Sequence, residues 1–220
     1  MSIVAIYHGR KNISGENVAA ALKRLGIPFR MITARDITSG KLSHYSSVIF
    51  PGGHSVVLSK STEKQVMSFV RSGGGFIGIC AGCQFGVKLG LLPVKHRILR
   101  ATGIFDMRIV AKHPLSVGYV VAGKHDQSKP WTYSNRGRVR IRYANGGMLI
   151  AGEGARVVVS FDELGDFGAV VAGKYGRGNV VLITPHPEST PPASRPPQSD
   201  SDKSQEPFML FANAVKFCSA

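Results

Sequence analysis

Between residues 3 and 79 the chain alternates short, continuously apolar runs with stretches whose apolar residues recur at helical spacing. "SVIF" at 47–50 and "FIGI" at 76–79 show no polar alternation, so each predicts a strand buried on both faces. Ser2 to Tyr7 and Pro28 to Thr33 supply two further strands. Glu16 to Leu25 predicts a helix with Val18, Ala21, Leu22 and Leu25 on one stripe, ended by Gly26. Thr62 to Arg71 predicts another, opened by a serine or threonine cap. Strands joined through helices must lie parallel, because a parallel connection needs a crossover long enough to return to the same sheet edge. The first half is therefore expected to be an α/β sheet covered by helices on both faces.

After about residue 100 the pattern changes to short strands with turn residues between them: "FDMRIVA", "VRIRYANGG", "MLIAG", "RVVVSF", "GAVVAGKYGRG" and "NVVLITP". These predict hairpins, with turns at Asn145-Gly146 and Arg177-Gly178. No linker separates the halves, so residues 1–220 are expected to form one domain, with a mostly parallel central sheet and an antiparallel extension. The Pro- and Ser-rich run 189–207 is expected to be a mobile loop, and 208–217 a closing helix.

Composition narrows the function classes. At 43% hydrophobic residues over 220 positions the chain can bury a full core. The opening "MSIVAIYHGRKN" is too short in apolar residues for a signal peptide or a membrane span, and is read as the first strand of a soluble, cytoplasmic protein. Three cysteines, Cys80, Cys83 and Cys218, include one CxxC pair, but no second CxxC or HxxxH run completes a metal site. No metal or cofactor is expected. The net charge of +15 is large for this length. Twelve Lys and Arg residues lie between Lys88 and Arg142 against only Asp106 and Asp126. Arg138, Arg140 and Arg142 alternate with Val139, Ile141 and Tyr143, which predicts a strand with one wet, basic face. Such a face is either simply solvated or contacts nucleic acid or an acidic partner.

Three strand ends carry the chemistry. Cys80 lies where "FIGI" turns into a helix, at the carboxyl edge where open α/β sheets place their sites and where helix amides favour a thiolate. Gly78, Ala81 and Gly82 around it suit a sharp strand-turn-helix bend that exposes a nucleophile. A second apolar strand, "VVLIT", runs into His186, Pro187 and Glu188. A histidine beside a thiol can move its proton, and a carboxylate two residues on can fix the imidazole tautomer. A third, "FPGGHS", places Gly52 and Gly53 where backbone N–H groups can approach a developing oxyanion.

"PGG", "GICAGCQ" and "HPE", in this order, resemble the class I glutamine amidotransferase superfamily. "FVRSGGGFIGICAG", "HPLSVGY", "ANGGMLI" and "VVLITPHPE" resemble the amidotransferase-like domain at the N-terminus of some biotin-protein ligases, over about residues 3 to 188. The resemblance implies a flavodoxin-like, three-layer α/β/α sandwich. It also implies Cys80 as nucleophile, His186 as general base and Glu188 as its orienter, with the amides of Gly53 or Gly52 and of Ala81 as the oxyanion hole. Gln84 matches the glutamine after the nucleophile; Gln84, Cys83 and His54 are taken as substrate contacts. The implied reaction is hydrolysis of an amide through a thioester, with glutamine as a candidate substrate. The candidate partner is a separate synthase subunit. A related cysteine peptidase or deglycase, and a silent binding module with a basic face, are the alternatives.

Overall fold

Continuously apolar strands can only be satisfied inside a sheet covered on both sides, and the computed structural model shows how this chain achieves it. It describes residues 3–9, 15–122, 137–162, 164, 167–190 and 207–220. In chain order the elements are β1 (Val4–Tyr7), α1 (Gly15–Arg24), β2 (Phe29–Ile32), α2 (Ala34–Thr38), β3 (Ser47–Phe50), α3 (Lys60–Arg71), β4 (Gly75–Ile79) and α4 (Ala81–Lys88). There follow β5 (Val94–Arg97), β6 (Thr102–Ile109), β7 (Arg138–Ala144), β8 (Met148–Ala151), β9 (Ala155–Phe161), β10 (Gly168–Tyr175), β11 (Gly178–Ile183) and α5 (Pro207–Cys218).

The eleven strands of the described residues join one sheet, in the order β2-β1-β3-β4-β11-β10-β9-β6-β7, with β8 attached to β10 and β5 to β8. From β2 to β11 the pairing is parallel. From β11 onward it is antiparallel. The last strand thus returns from the antiparallel extension to pair beside β4, the strand that leads into Cys80.

The two faces bury separate cores. On one, Val4, Ile6, Ile77 and Ile79 of the strands pack with Val18 and Leu22 of α1 and with Leu210, Phe211 and Val215 of α5. On the other, Ala5, Phe50 and Phe76 pack with Ile37 of α2, Val66 and Val70 of α3, and Phe85 of α4. This is the three-layer α/β/α arrangement expected, set by the period-two alternation of side chains across each strand. The cap of α3 is Ser59, whose hydroxyl accepts the Thr62 N–H. Helix α2 escapes the reading of the sequence because five residues show too little periodicity; its signal is the Thr33–Asp36 capping box.

Three expectations are corrected. Asn145-Gly146 is not a hairpin turn: β7 pairs with β6, while β8 pairs with β5 and β10. The small residues serve close approach instead, since a Cβ on Gly146 would lie 1.9 Å from the Thr184 carbonyl oxygen. The β10–β11 hairpin does form, but its turn is Gly176-Arg177, with Gly176 at φ +61° and Gly178 already paired to Tyr175. Finally, the wet basic face of β7 is narrower than the alternation predicts: Val139, Ile141 and Tyr143 are buried and Arg140 and Arg142 exposed, but Arg138 is drawn inward. Arg138 is buried at 8% exposure and donates to Asp162, which also accepts from Arg108 at 2.6 Å. Arg140 pairs with Asp106 at 3.5 Å, and only Arg142 faces solvent without a side-chain partner among the described residues. Arg108 lies opposite Arg138 in the β6–β7 ladder, and two guanidiniums can be buried together there only around a shared carboxylate. The run 191–206, most of the predicted mobile loop, lies outside the described residues. Among the described residues no helix is long and apolar enough to cross a membrane.

Asp162 is 5% exposed and sits between two guanidiniums. Asp162→Ala removes the carboxylate that both guanidiniums share and is expected to cost about 3–5 kcal/mol, read as a lower urea midpoint with an unchanged slope.

Candidate functional site

The site begins with a backbone conformation. β4 ends at Ile79, and Cys80 takes φ 52° and ψ −108° before α4 starts at Ala81. A non-glycine residue at positive φ costs about 1–3 kcal/mol and persists only where its surroundings over-determine it. Here they do. The Cys80 N–H donates to the Ile183 carbonyl of β11 at 2.8 Å, and the Cys80 carbonyl accepts from Gln84 N–H at 3.1 Å. Two glycines make room for the bend: a Cβ on Gly82 would lie 1.8 Å from the Phe50 carbonyl oxygen, and one on Gly78 would lie 2.4 Å from the Gly82 oxygen. The twist sends the Cys80 side chain to the α1/α5 face of the sheet, while Cys83, one turn on, belongs to the opposite core with Phe50, Phe76 and Phe85. Cys80 Sγ lies 3.5 Å from the Ala144 carbonyl oxygen at the end of β7.

His186 and Glu188 come from the end of β11, the strand beside β4. The His186 N–H donates to the Arg142 carbonyl at 2.7 Å, and Pro187–Ser189 make one 3-10 turn that folds Glu188 back. Glu188 Oε1 is 2.9 Å from His186 Nδ1, and both side chains are buried. With Nδ1 held by Glu188, Nε2 is the ring nitrogen left for Cys80. Thr190 Oγ1 donates to the His186 carbonyl at 2.7 Å and accepts from Arg142 N–H at 3.1 Å, which ties the turn to β7.

Burial by itself would push the imidazole pKa down. The hydrogen bonds to Cys80 and Glu188, and the negative charge of both, outweigh it and raise the His186 pKa to about 10. His186 therefore holds its proton at neutral pH. Both states of Cys80 have a partner: the thiol can donate to the Ala144 carbonyl, and the thiolate can accept from the imidazolium.

The remaining expected residues fall in three groups. Gly52 and Gly53 follow β3, whose Phe50 is in register with Gly78 of β4, so their loop and Ala81 leave neighbouring strands at the same edge. Gly53 has φ +128°, which favours glycine. Gln84 and His54 are exposed. Cys83 does not fit the substrate contact expected of it: it is 0% exposed inside the aromatic core, and burial pushes its thiol pKa up, which makes it a neutral packing residue. What the sequence did not reveal are the Arg142 and Ala144 carbonyls and Thr190. Main-chain groups leave no residue-type signal, and the hydroxyl in "HPEST" was the only hint.

Because the folded His186 pKa lies above its ordinary 6.5, the imidazolium stabilises the fold fully below about pH 6.5, and that contribution disappears as pH rises through about 10. The stability advantage of the wild type over His186→Asn is therefore expected to be largest near pH 6 and to shrink steadily toward pH 10.5. Urea midpoints of both proteins across that range check it; a constant difference contradicts the assigned proton.

The comparisons with known proteins agree with this fold. The family model described as "Biotin-protein ligase, N terminal" matches residues 30–98, a span that holds Gly52, Gly53, Cys80 and Gln84 but not His186 or Glu188. No curated protein matches the chain by sequence. Among solved structures, a protein from Thermoplasma acidophilum described as a GMP synthase component superposes with a TM-score of 0.66 at 14% identity, covering 100% of this chain and 94% of its own. PurLQS from Thermotoga maritima gives 0.66 at 17% identity, covering 98% of each chain. A glutamine amidotransferase from Thermotoga maritima gives 0.55 at 16% identity, covering 86% of this chain and 76% of its own. The resemblance read from the motifs therefore stands: this chain has the class I glutamine amidotransferase-like fold and, over residues 30–98, is similar to the N-terminal family of biotin-protein ligases.

Proposed function

We propose that the protein is a cysteine-dependent amidohydrolase that cleaves an amide through a thioester. The observation that carries this reading is the strained conformation of Cys80 at the strand–helix junction, with the His186–Glu188 pair, 2.9 Å apart, leaving the end of the neighbouring strand. In the proposed cycle the Cys80 thiolate attacks the amide carbon, and the N–H groups of Ala81 and of Gly53 or Gly52 receive the oxyanion; such a donor is worth about 3–4 kcal/mol. The His186 imidazolium gives its proton to the leaving nitrogen, and ammonia or an amine departs. Neutral His186 then takes a proton from water as the water attacks the thioester, and the acid is released with Cys80 restored. Glu188 holds the imidazole in the required tautomer throughout.

Glutamine is the proposed amide, and a separate synthase subunit the proposed user of the released ammonia. Support comes from the names of the fold relatives, one a component of GMP synthase, the other a glutamine amidotransferase. A nucleic-acid or acidic-partner role for the arginine strand would rest on the exposed Arg140 and Arg142 alone, since Arg138 is buried against Asp162.

Intact-mass spectrometry after treatment with a diazo-ketone glutamine analogue tests the reading. One adduct is expected on the wild type and on Cys83→Ala, none on Cys80→Ala, and labelling of His186→Asn slowed by about 100-fold or more. If Cys80 reacts with iodoacetamide but not with the analogue, the substrate is not glutamine and a peptidase or deglycase reading replaces it. A Cys80 inert to both reagents refutes the enzyme.

A further inference from the structure

Tyr143 stands between the two residues whose carbonyls reach the site: Arg142 accepts from the His186 N–H, and Ala144 lies against Cys80 Sγ. Its side chain is buried in the same core as Cys80, with the rings of Phe105 and Phe161 against it. Packing alone does not call for a hydroxyl there, because a buried hydroxyl is costly unless it is hydrogen-bonded. This one is bonded to main chain only. It accepts from the Gly147 N–H at 2.6 Å and donates to the Leu99 carbonyl at 2.9 Å, with the Gly147 carbonyl as a second acceptor at 3.2 Å. Burial pushes the phenol pKa up to about 12, so the proton stays in place at neutral pH.

The hydroxyl thus closes a loop from Tyr143 to Gly147 and fastens it to the segment after β5. Each residue inside that loop has a main-chain contact. The Ala144 carbonyl oxygen is 3.5 Å from Cys80 Sγ, the Asn145 N–H donates to the Ala101 carbonyl at 2.9 Å, and the Gly146 carbonyl oxygen is 3.1 Å from His96 Nε2. Asn145 takes φ +55°, and among the described residues the only other non-glycine at positive φ is Cys80. Strain of this kind persists only where the surroundings hold it, and here the two strained residues meet through the Ala144 carbonyl. We propose that Tyr143 is a positioning residue for the reaction: its hydroxyl fixes the Ala144 carbonyl, which in turn fixes Cys80 Sγ beside His186. Tyr143 itself touches no substrate. The inference rests on the reading of Cys80 as a nucleophile, but not on which amide it attacks. Without the hydroxyl, the Gly147 N–H and the Leu99 carbonyl lose a partner inside the core, and the loop must shift to find others.

Tyr143→Phe in the full chain tests this, because it removes the hydroxyl and keeps the ring. Val66→Ala, in the core on the opposite face, is the control for a general loss of stability. Alkylation of Cys80 by iodoacetamide at neutral pH needs only a placed thiol; it is expected to slow by about tenfold or more in Tyr143→Phe and to stay unchanged in Val66→Ala. Amide exchange over residues 144–148 is expected to quicken while that of β4 does not. With the diazo-ketone glutamine analogue, the maximal labelling rate should fall by a similar factor at an unchanged half-saturating concentration. Tyr143→4-aminophenylalanine, which retains a donor at the ring end, is the second variant, with a smaller slowing expected. Unchanged exchange overturns the proposal, since the hydroxyl then does not hold the loop. Faster exchange with unchanged alkylation also overturns it and leaves Tyr143 a merely structural residue, as does equal slowing in Val66→Ala. A wild type that reacts with iodoacetamide but not with the analogue refutes glutamine as the substrate, and alkylation still decides the role of Tyr143.

Discussion

The first turn of α4 touches the end of β3 at main-chain distance, and the candidate site depends on that contact. Gly82 has no room for a Cβ against the Phe50 carbonyl, nor Gly78 against Gly82. With the helix so close, the chain has only one residue in which to change direction, and Cys80 absorbs the change at positive φ. The same closeness sets the Pro51-Gly52-Gly53 loop beside Ala81, because that loop continues directly from Phe50. A larger residue at Gly82 would push the helix outward, relax the bend, and separate thiol from loop together. The strain at Cys80 is held in place by main-chain bonds on both sides, its N–H donating to Ile183 and its carbonyl accepting from Gln84.

The antiparallel extension does more than enlarge the sheet. β7 presents two successive inward carbonyls to the site, Arg142 to the His186 N–H and Ala144 to Cys80 Sγ. Its position depends on β6, and both strands are tied through Arg108, Arg138 and Asp162 at their far end. A buried cluster of two guanidiniums and one carboxylate adds little net stability compared with apolar packing, but it admits only one register, because a slip leaves charge unpaired. The register of β6 against β7 in turn decides which carbonyls reach His186 and Cys80. Part of the positive charge is thus internal to the fold, while Arg24, Arg142, Lys95, Arg97 and Arg100 are among the basic residues that face outward.

Much of this was legible in the residue pattern. Continuous apolar runs marked the parallel strands, since a strand buried on both faces has no polar side to show, and the strand–glycine–cysteine junction pointed to Cys80. Helix ends were legible to within a residue or two where a cap or a glycine marked them, as at Ser59 and Gly26. Reading Arg138, Arg140 and Arg142 as a wet face held at Arg140 and Arg142 but not at Arg138, for a physical reason: alternation reports which residues share a face, not whether a carboxylate from another strand waits there. Asp162 lies 24 residues from Arg138, and no local pattern connects them. The Asn145-Gly146 turn failed similarly, because a glycine pair signals either a reversal between paired strands or a close approach, and only the position of Thr184 distinguishes the two.

The sequence by itself determined which strands are buried, where the sheet's carboxyl edge lies and which residue types gather there, because periodicity and the φ/ψ limits of glycine and proline are local properties. The tertiary structure alone decided that Cys80 and Cys83 face opposite cores, that His186 is held by Glu188 and by the carbonyl of Arg142, and that one oxygen of Glu188 has no partner among the described residues. Those outcomes depend on side-chain direction and on contacts between residues far apart in the chain. Such contacts follow from how layers pack, and packing is a property of the whole fold rather than of any segment.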